Sequence, residues 1–151
     1  MSLENDIKQK EFKSEYQKAV VNIIYTYNQT IDKISYIFKE YDITRQQFNV
    51  LRILRGQHPR PVNINVIKER MLDKMSDASR IVERLRIKEL LKREKCQEDK
   101  RAVEVVITDK GLKLLELLDP RMVEFESKTI QLTEPEAKSL NLLLDKLRGS
   151  E

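Results

Sequence analysis

Apolar residues in the first forty positions recur at steps of mostly three and four. Tyr16, Val20, Ile23, Ile24, Tyr27, Ile31, Ile34, Ile37, Phe38 and Tyr41 fall on one helical stripe. The pattern predicts a long helix from about Asn5 to Tyr41. Seven of the nine aromatic residues lie within these first 41 positions. A helix this long and this aromatic projects beyond a small domain, so it is expected to pack against a partner.

A second helix follows. Thr44 caps it, Gln47 reaches back to complete a capping box, and Ile43 is placed to staple onto Phe48. Its apolar face, Phe48, Leu51 and Leu54, ends near Gly56. His58, Pro59 and Pro61 then form a break. Asn63 caps a short third helix carrying Ile64, Ile67 and Met71, and Asp73-Lys74 makes a turn. Ser76 is expected to cap a fourth helix with Ile81, Val82, Leu85 and Ile87 inward, and Asp77, Ser79, Arg80, Glu83, Arg84 and Lys88 outward. Leu90 to Lys95 and Ala102 to Thr108 (AVEVVIT) read as two strands around a polar tip, Gln97 to Arg101. Thr108 opens a helix with Leu112, Leu115, Leu118, Met122 and Phe125 near one face, which Pro120 should kink or interrupt. Thr133 and Glu136 form a capping box for the last helix, whose apolar face is Leu140, Leu143, Leu144 and Leu147, widened by Leu142.

Two short helices joined by a tight turn, the second basic on its open face and followed by a hairpin, are the elements of a winged helix-turn-helix. The fold class expected is therefore mainly α (α+β). Within 151 residues, read as one domain, residues 44–108 form the winged helix. Residues 4–43 and 109–148 form long N- and C-terminal dimerisation helices.

Charge sharpens this picture. Residues 44–101 carry 16 Lys and Arg against 8 Asp and Glu, whereas the rest carries 13 against 17. A basic middle on an acidic scaffold suits a polyanion. No Gly-rich phosphate loop is present, and the one histidine, His58, sits in a Pro-flanked turn. One His and one Cys cannot assemble a conventional zinc site within a chain. Neither an enzyme nor a cofactor is expected. Cys96 lies beside Lys95 and near Lys100, which favour a thiolate, but an inert thiol is the preferred reading. There is no apolar run of about 18 residues and no signal-peptide pattern, so a cytoplasmic protein with no membrane partner is expected.

The stretch from Ser76 to Gly111 resembles the MarR family of bacterial transcriptional regulators. SRIVERL at 79–85 is similar to that family's recognition helix, LLKRE at 90–94 to its first wing strand, and NINVIKERM at 63–71 to the preceding helix. The passage DKRAVEVVITDKG at 99–111 carries the most specific likeness: an Asp-Arg-Arg-like triplet, alternating aliphatics, then Thr-x-x-Gly. The family often has glycine between recognition helix and wing, where Glu89 stands here.

The resemblance implies a homodimeric, sequence-specific regulator, a repressor by expectation, on a near-palindromic operator in double-stranded DNA. The helix after Ser76 would enter the major groove and the wing would touch flanking backbone or minor groove. Ser76 and Ser79 are candidates for phosphate, Arg80 for guanine O6 and N7, and Arg84 for phosphate. Lys100 and Arg101 are the wing's contacts, and Asp99 holds Arg101 through charge-assisted hydrogen bonds. Asn63, heading the preceding helix, is counted with this surface. The resemblance also suggests a pocket for a small aromatic effector at Tyr25, Tyr27 and Tyr36, for which plain core packing is the alternative. Relatives that sense oxidants do so through a cysteine in the first helix, and this one has none. A second function stays open: a dimeric winged-helix interaction protein that has lost DNA binding. It gains if Glu83, Glu89, Glu94 and Glu98 neutralise the open face of the fourth helix.

Overall fold

The computed structural model describes residues 2–96, 98–99 and 101–149. The chain forms two compact units, Met1–Leu118 and Asp119–Glu151. The first unit begins with a short helix, α1 (Leu3–Asp6), and a long one, α2 (Glu15–Glu40). The predicted single helix is thus broken. Lys8 takes a positive φ of 55°, and Ser14 restarts the helix by accepting from the Gln17 amide. Glu4 of α1 pairs with Lys18 of α2 at 2.5 Å, which lowers its pKa to about 2.

The helix-turn-helix follows as α3 (Arg45–Gln57), α4 (Ile64–Arg70) and α5 (Ala78–Ile87). The Thr44–Gln47 capping box forms as predicted. Ile43 is buried, and the ring that Phe48 stacks on is Phe38 of α2, at 4.6 Å between centroids. Asn63 caps α4 through Oδ1, which accepts from the Asn65 amide at 2.8 Å. The cap of α5 is Asp77, whose Oδ1 accepts from the Arg80 amide at 3.1 Å; it is not Ser76. Both residue types cap well, and position decides: Ser76 lies one residue too early, its own N–H bound to the Asp73 carbonyl. Ile87, expected inward, is 67% exposed at the end of α5.

The wing is β2 (Leu91–Lys95) and β3 (Val103–Ile107), paired antiparallel from Leu91↔Ile107 to Lys95↔Val103. A third strand, β1 (Val62–Asn63), pairs with β3 through Val62↔Val105, giving the order β1-β3-β2. Two residues before a helix cap carry too little alternation to be read as a strand. Val105, Val106 and Ile107 face the core together with Val50, Leu51, Leu54, Ile67, Val82, Leu85, Leu91 and Leu115. Burying each large aliphatic contributes about 1.5–3 kcal/mol, so this cluster fixes the head.

The junction between α5 and the wing explains the Thr-x-x-Gly motif. Glu89 has φ 60°. The Leu90 amide donates to the Leu85 carbonyl and the Glu89 amide to the Arg86 carbonyl, the bond pair that closes a helix around a left-handed residue. Glu89 therefore takes the left-handed conformation that glycine adopts without strain, at a conformational cost of roughly 1–2 kcal/mol. The Thr108 hydroxyl donates to the Glu89 carbonyl at 2.7 Å and accepts from the Gly111 amide at 3.1 Å, capping α6 (Asp109–Thr129). A Cβ on Gly111 would stand 2.3 Å from the Leu90 carbonyl oxygen and 2.7 Å from Ile107 Cγ1. Gly111→Ala is accordingly expected to destabilise the protein by about 1–3 kcal/mol, read as a lowered midpoint in urea unfolding. An unchanged midpoint would remove the close approach from the account.

Helix α6 runs on through Pro120 without the expected interruption. The second unit ends in α7 (Glu134–Leu147), where Glu136 accepts from both the amide and the hydroxyl of Thr133 at 2.8 Å. No residue of α7 is buried, and Leu140, Leu142, Leu143 and Leu147 are exposed. In α2 the exposed apolar residues Tyr16, Val20, Ile23, Ile24 and Tyr27 follow the predicted stripe.

Candidate nucleic-acid interface

Helix α5 and the wing carry the predicted surface. Ser79, Arg80 and Arg84 are exposed on the open face of α5, and Ser76 is half-buried at its head. Thr44, Gln46, Ser76, Asp77, Arg80 and Arg84 line one open cleft between the start of α3 and this face. Arg80 and Arg84 make no ion pair with any described residue.

Three of the four interspersed glutamates, Glu83, Glu89 and Glu94, engage other cations. Glu83 accepts from Arg86 Nε at 3.0 Å and Nη2 at 2.7 Å, and from Arg93 Nη2 of β2 at 2.8 Å. The Arg86 hydrogen bonds hold its carboxyl below the usual carboxylate range, working against desolvation. Glu83 thus ties the recognition helix to the wing strand. Glu89 lies 3.9 Å from Lys110, and Glu94 lies 3.7 Å from Lys92. The open face is left basic, which favours nucleic acid over the interaction-protein alternative.

Lys88, expected on the outward face, is instead a strut. Its ammonium donates to the Asp42 carbonyl and pairs with the Asp42 carboxylate at 3.2 Å, while its carbonyl accepts from Lys110 Nζ at 2.9 Å. Asp42 itself has φ 54°, with the Ile43 amide bound to Phe38 and its own amide to Lys39. Sequence reasoning missed this link, because a 46-residue separation leaves no local signal.

In the wing, the Asp99 carboxylate accepts from the Arg101 main-chain amide at 2.9 Å, not from its guanidinium. The Ala102 amide donates to the Asp99 carbonyl, and the Asp99 amide to Cys96 Sγ at 3.4 Å. Asp99 and Arg101 are exposed. Lys100 and Gln97 lie outside the described residues. Asn63 is accounted for by its cap on α4 and its pairing opposite Glu104.

The three tyrosines do not form a set. Tyr25 and Tyr36 are eleven residues apart on α2, on nearly the same side but about 16 Å along the axis, and Tyr27 lies almost opposite Tyr25. Tyr27 and Tyr36 are exposed and Tyr25 half-buried. One small aromatic molecule cannot touch all three within a chain. Among the described residues, no group of three or more His, Cys, Asp or Glu is placed to hold a metal ion. No described helix is long and apolar enough to cross a membrane.

A three-helix head whose third helix exposes Arg80 and Arg84, in no ion pair with a described residue, followed by a two-stranded wing, defines a winged-helix DNA-binding protein. Residues 41–102 match the model of the MarR family. The chain is 35% identical over 115 residues to the HTH-type transcriptional regulator MgrA of Staphylococcus aureus, covering 74% of each. A MarR transcription factor from Planctomyces limnophilus superposes with a TM-score of 0.69 at 29% identity, over 91% of this chain and 98% of that one. A mutant of the E. coli MarR protein bound to operator DNA superposes with a TM-score of 0.76 at 23% identity, over 91% and 99%. The chain belongs to the MarR family: it is a DNA-binding transcriptional regulator and not an enzyme.

Proposed function

We propose that the protein acts as a homodimeric repressor, with α5 of each copy in the major groove of a near-palindromic operator and each wing on the flanking backbone. The observation that carries this reading is the pair Arg80 and Arg84, exposed and free of ion pairs with described residues while the neighbouring glutamates are engaged elsewhere. A planar guanidinium on the first turn of α5 can engage guanine O6 and N7 together, and one a turn later suits phosphate. The exposed apolar faces of α2 and α7 supply surface for a second copy. Two heads about 34–36 Å apart read successive turns of B-DNA. A dimer seated on a promoter competes with polymerase for the same DNA, which is repression. A small-molecule effector, on this reading, acts by changing the separation of the heads, because each head is braced by Glu83 and Lys88.

Fluorescence anisotropy with duplexes selected by the protein from a random pool, across a salt series, tests the reading. Selective binding with a steep salt slope is the expected result. Weak binding without selection would return the molecule to the interaction-protein alternative. In the same assay Asp99→Ala is expected to weaken binding about threefold, although it removes a negative charge, because the Arg101 amide loses its partner and the tip loosens. A model based on net charge alone requires the opposite sign.

A further inference from the structure

The turn between α4 and α5 exposes two large apolar side chains beside the recognition helix. Leu72 is 82% exposed and Met75 is 93% exposed. Their backbone is nevertheless held. The Leu72 amide donates to Oδ1 of the buried Asn49 on α3 at 2.9 Å, and the Met75 amide to Asp73 Oδ1 at 3.1 Å. Asp73 Oδ2 lies 3.8 Å from Arg45, one helical turn before Asn49 on α3. Lys74 Nζ donates to the Glu69 carbonyl, closing the turn from its other side. Two side chains of α3, Arg45 and Asn49, and two of the turn's own, Asp73 and Lys74, thus fix a conformation whose product is an exposed Leu-Met pair.

Exposing a leucine and a methionine on a braced turn is unfavourable in the free chain, and the charge around them indicates what covers them. Residues 68–80 carry Lys68, Arg70, Lys74 and Arg80 against Glu69, Asp73 and Asp77, and the carboxylates of Asp73 and Asp77 are engaged by Arg45 and by the amides of Met75 and Arg80; Ser76 and Asp77 lead directly into α5. A polyanion that also presents apolar groups at a groove floor fits this combination. In the major groove only thymine does so, through its C5-methyl group. We propose that Met75, supported by Leu72, reads thymine methyl groups at the edge of the sequence read by α5, and so is a specificity-determining residue. This inference rests on the DNA-reading role proposed for α5.

The test uses the full chain and an operator selected by it from a random duplex pool, with thymines replaced one symmetric pair at a time by deoxyuridine. Uracil keeps every Watson–Crick bond and removes only the methyl group. At one pair, wild-type affinity is expected to fall about fourfold per half-site, the change that corresponds to about 0.8 kcal/mol for one buried carbon. Met75→Gln should bind the thymine operator as weakly as wild type binds the uracil one, and should not respond to the swap. Met75 is almost wholly exposed, so its replacement should leave the thermal midpoint in place. Equal sensitivity of wild type and Met75→Gln to every swap, or none in wild type, would overturn the proposal while leaving the operator reading intact. Failure of the wild-type chain to select any duplex would overturn both.

Discussion

Arg80→Ala is expected to cut affinity for a selected operator by about 30-fold or more while leaving the thermal midpoint unchanged. A well-formed bidentate contact to guanine contributes about 1–3 kcal/mol of discrimination, and a dimer makes it twice. The guanidinium is in no ion pair with a described residue, so its removal leaves no partner stranded in the protein. The helix cap is also untouched, because Asp77 accepts from the main-chain amide of residue 80, which alanine keeps. The loss should fall mainly on selectivity, with non-specific binding and its salt slope little changed. Arg84→Ala provides the contrast: binding weakened evenly across sequences, and a salt slope shallower by about 1 per chain. If Arg80→Ala binds with undiminished selectivity, α5 does not read bases through this residue.

The second large effect concerns assembly. The double substitution Ile24→Glu with Leu143→Glu is expected to convert the protein to monomers, measured by sedimentation, and to lower operator affinity by about 10²–10⁴-fold. Both residues are exposed in the single chain, at 56% and 65%, so the charges do not disturb its own core. They would, however, be buried without partners in any interface that covers the stripes of α2 and α7. Losing the partner removes the second head, and with it the high local concentration that links two half-site contacts. A double variant that stays dimeric would place the interface elsewhere on the chain.

The candidate interface was largely legible because its signals are local. Apolar periodicity identified the helices of the head. The capping residues Thr44, Asn63 and Thr133 marked helix starts, and β-branched alternation at 102–108 marked the returning wing strand. Each of these depends on residues within about four positions of one another, the range over which a helix turn or a strand pleat repeats. Where two good capping residues were adjacent, as at Ser76 and Asp77, periodicity could not choose between them. The backbone entering α5 decided for the aspartate.

What the sequence by itself determined was the kind of protein: a helical, basic-centred winged helix-turn-helix with apolar stripes on its flanking helices. The turn at Glu89 was not determined in this way: its left-handed conformation, φ 60°, came from the structure. Only the tertiary structure decided which charges are available. Glu83 could have opposed Arg84 or Arg80 on its own helix, but β2 brings Arg93 within 2.8 Å of it, and Lys88 is drawn to Asp42 across 46 residues. Likewise Asn49 meets Leu72 only because α3 packs beside the turn. Pairing between charges depends on distance in space, falling off within a few ångströms of contact. Sequence spacing sets that distance only inside one element, so the free and engaged members of a charged surface are selected by packing.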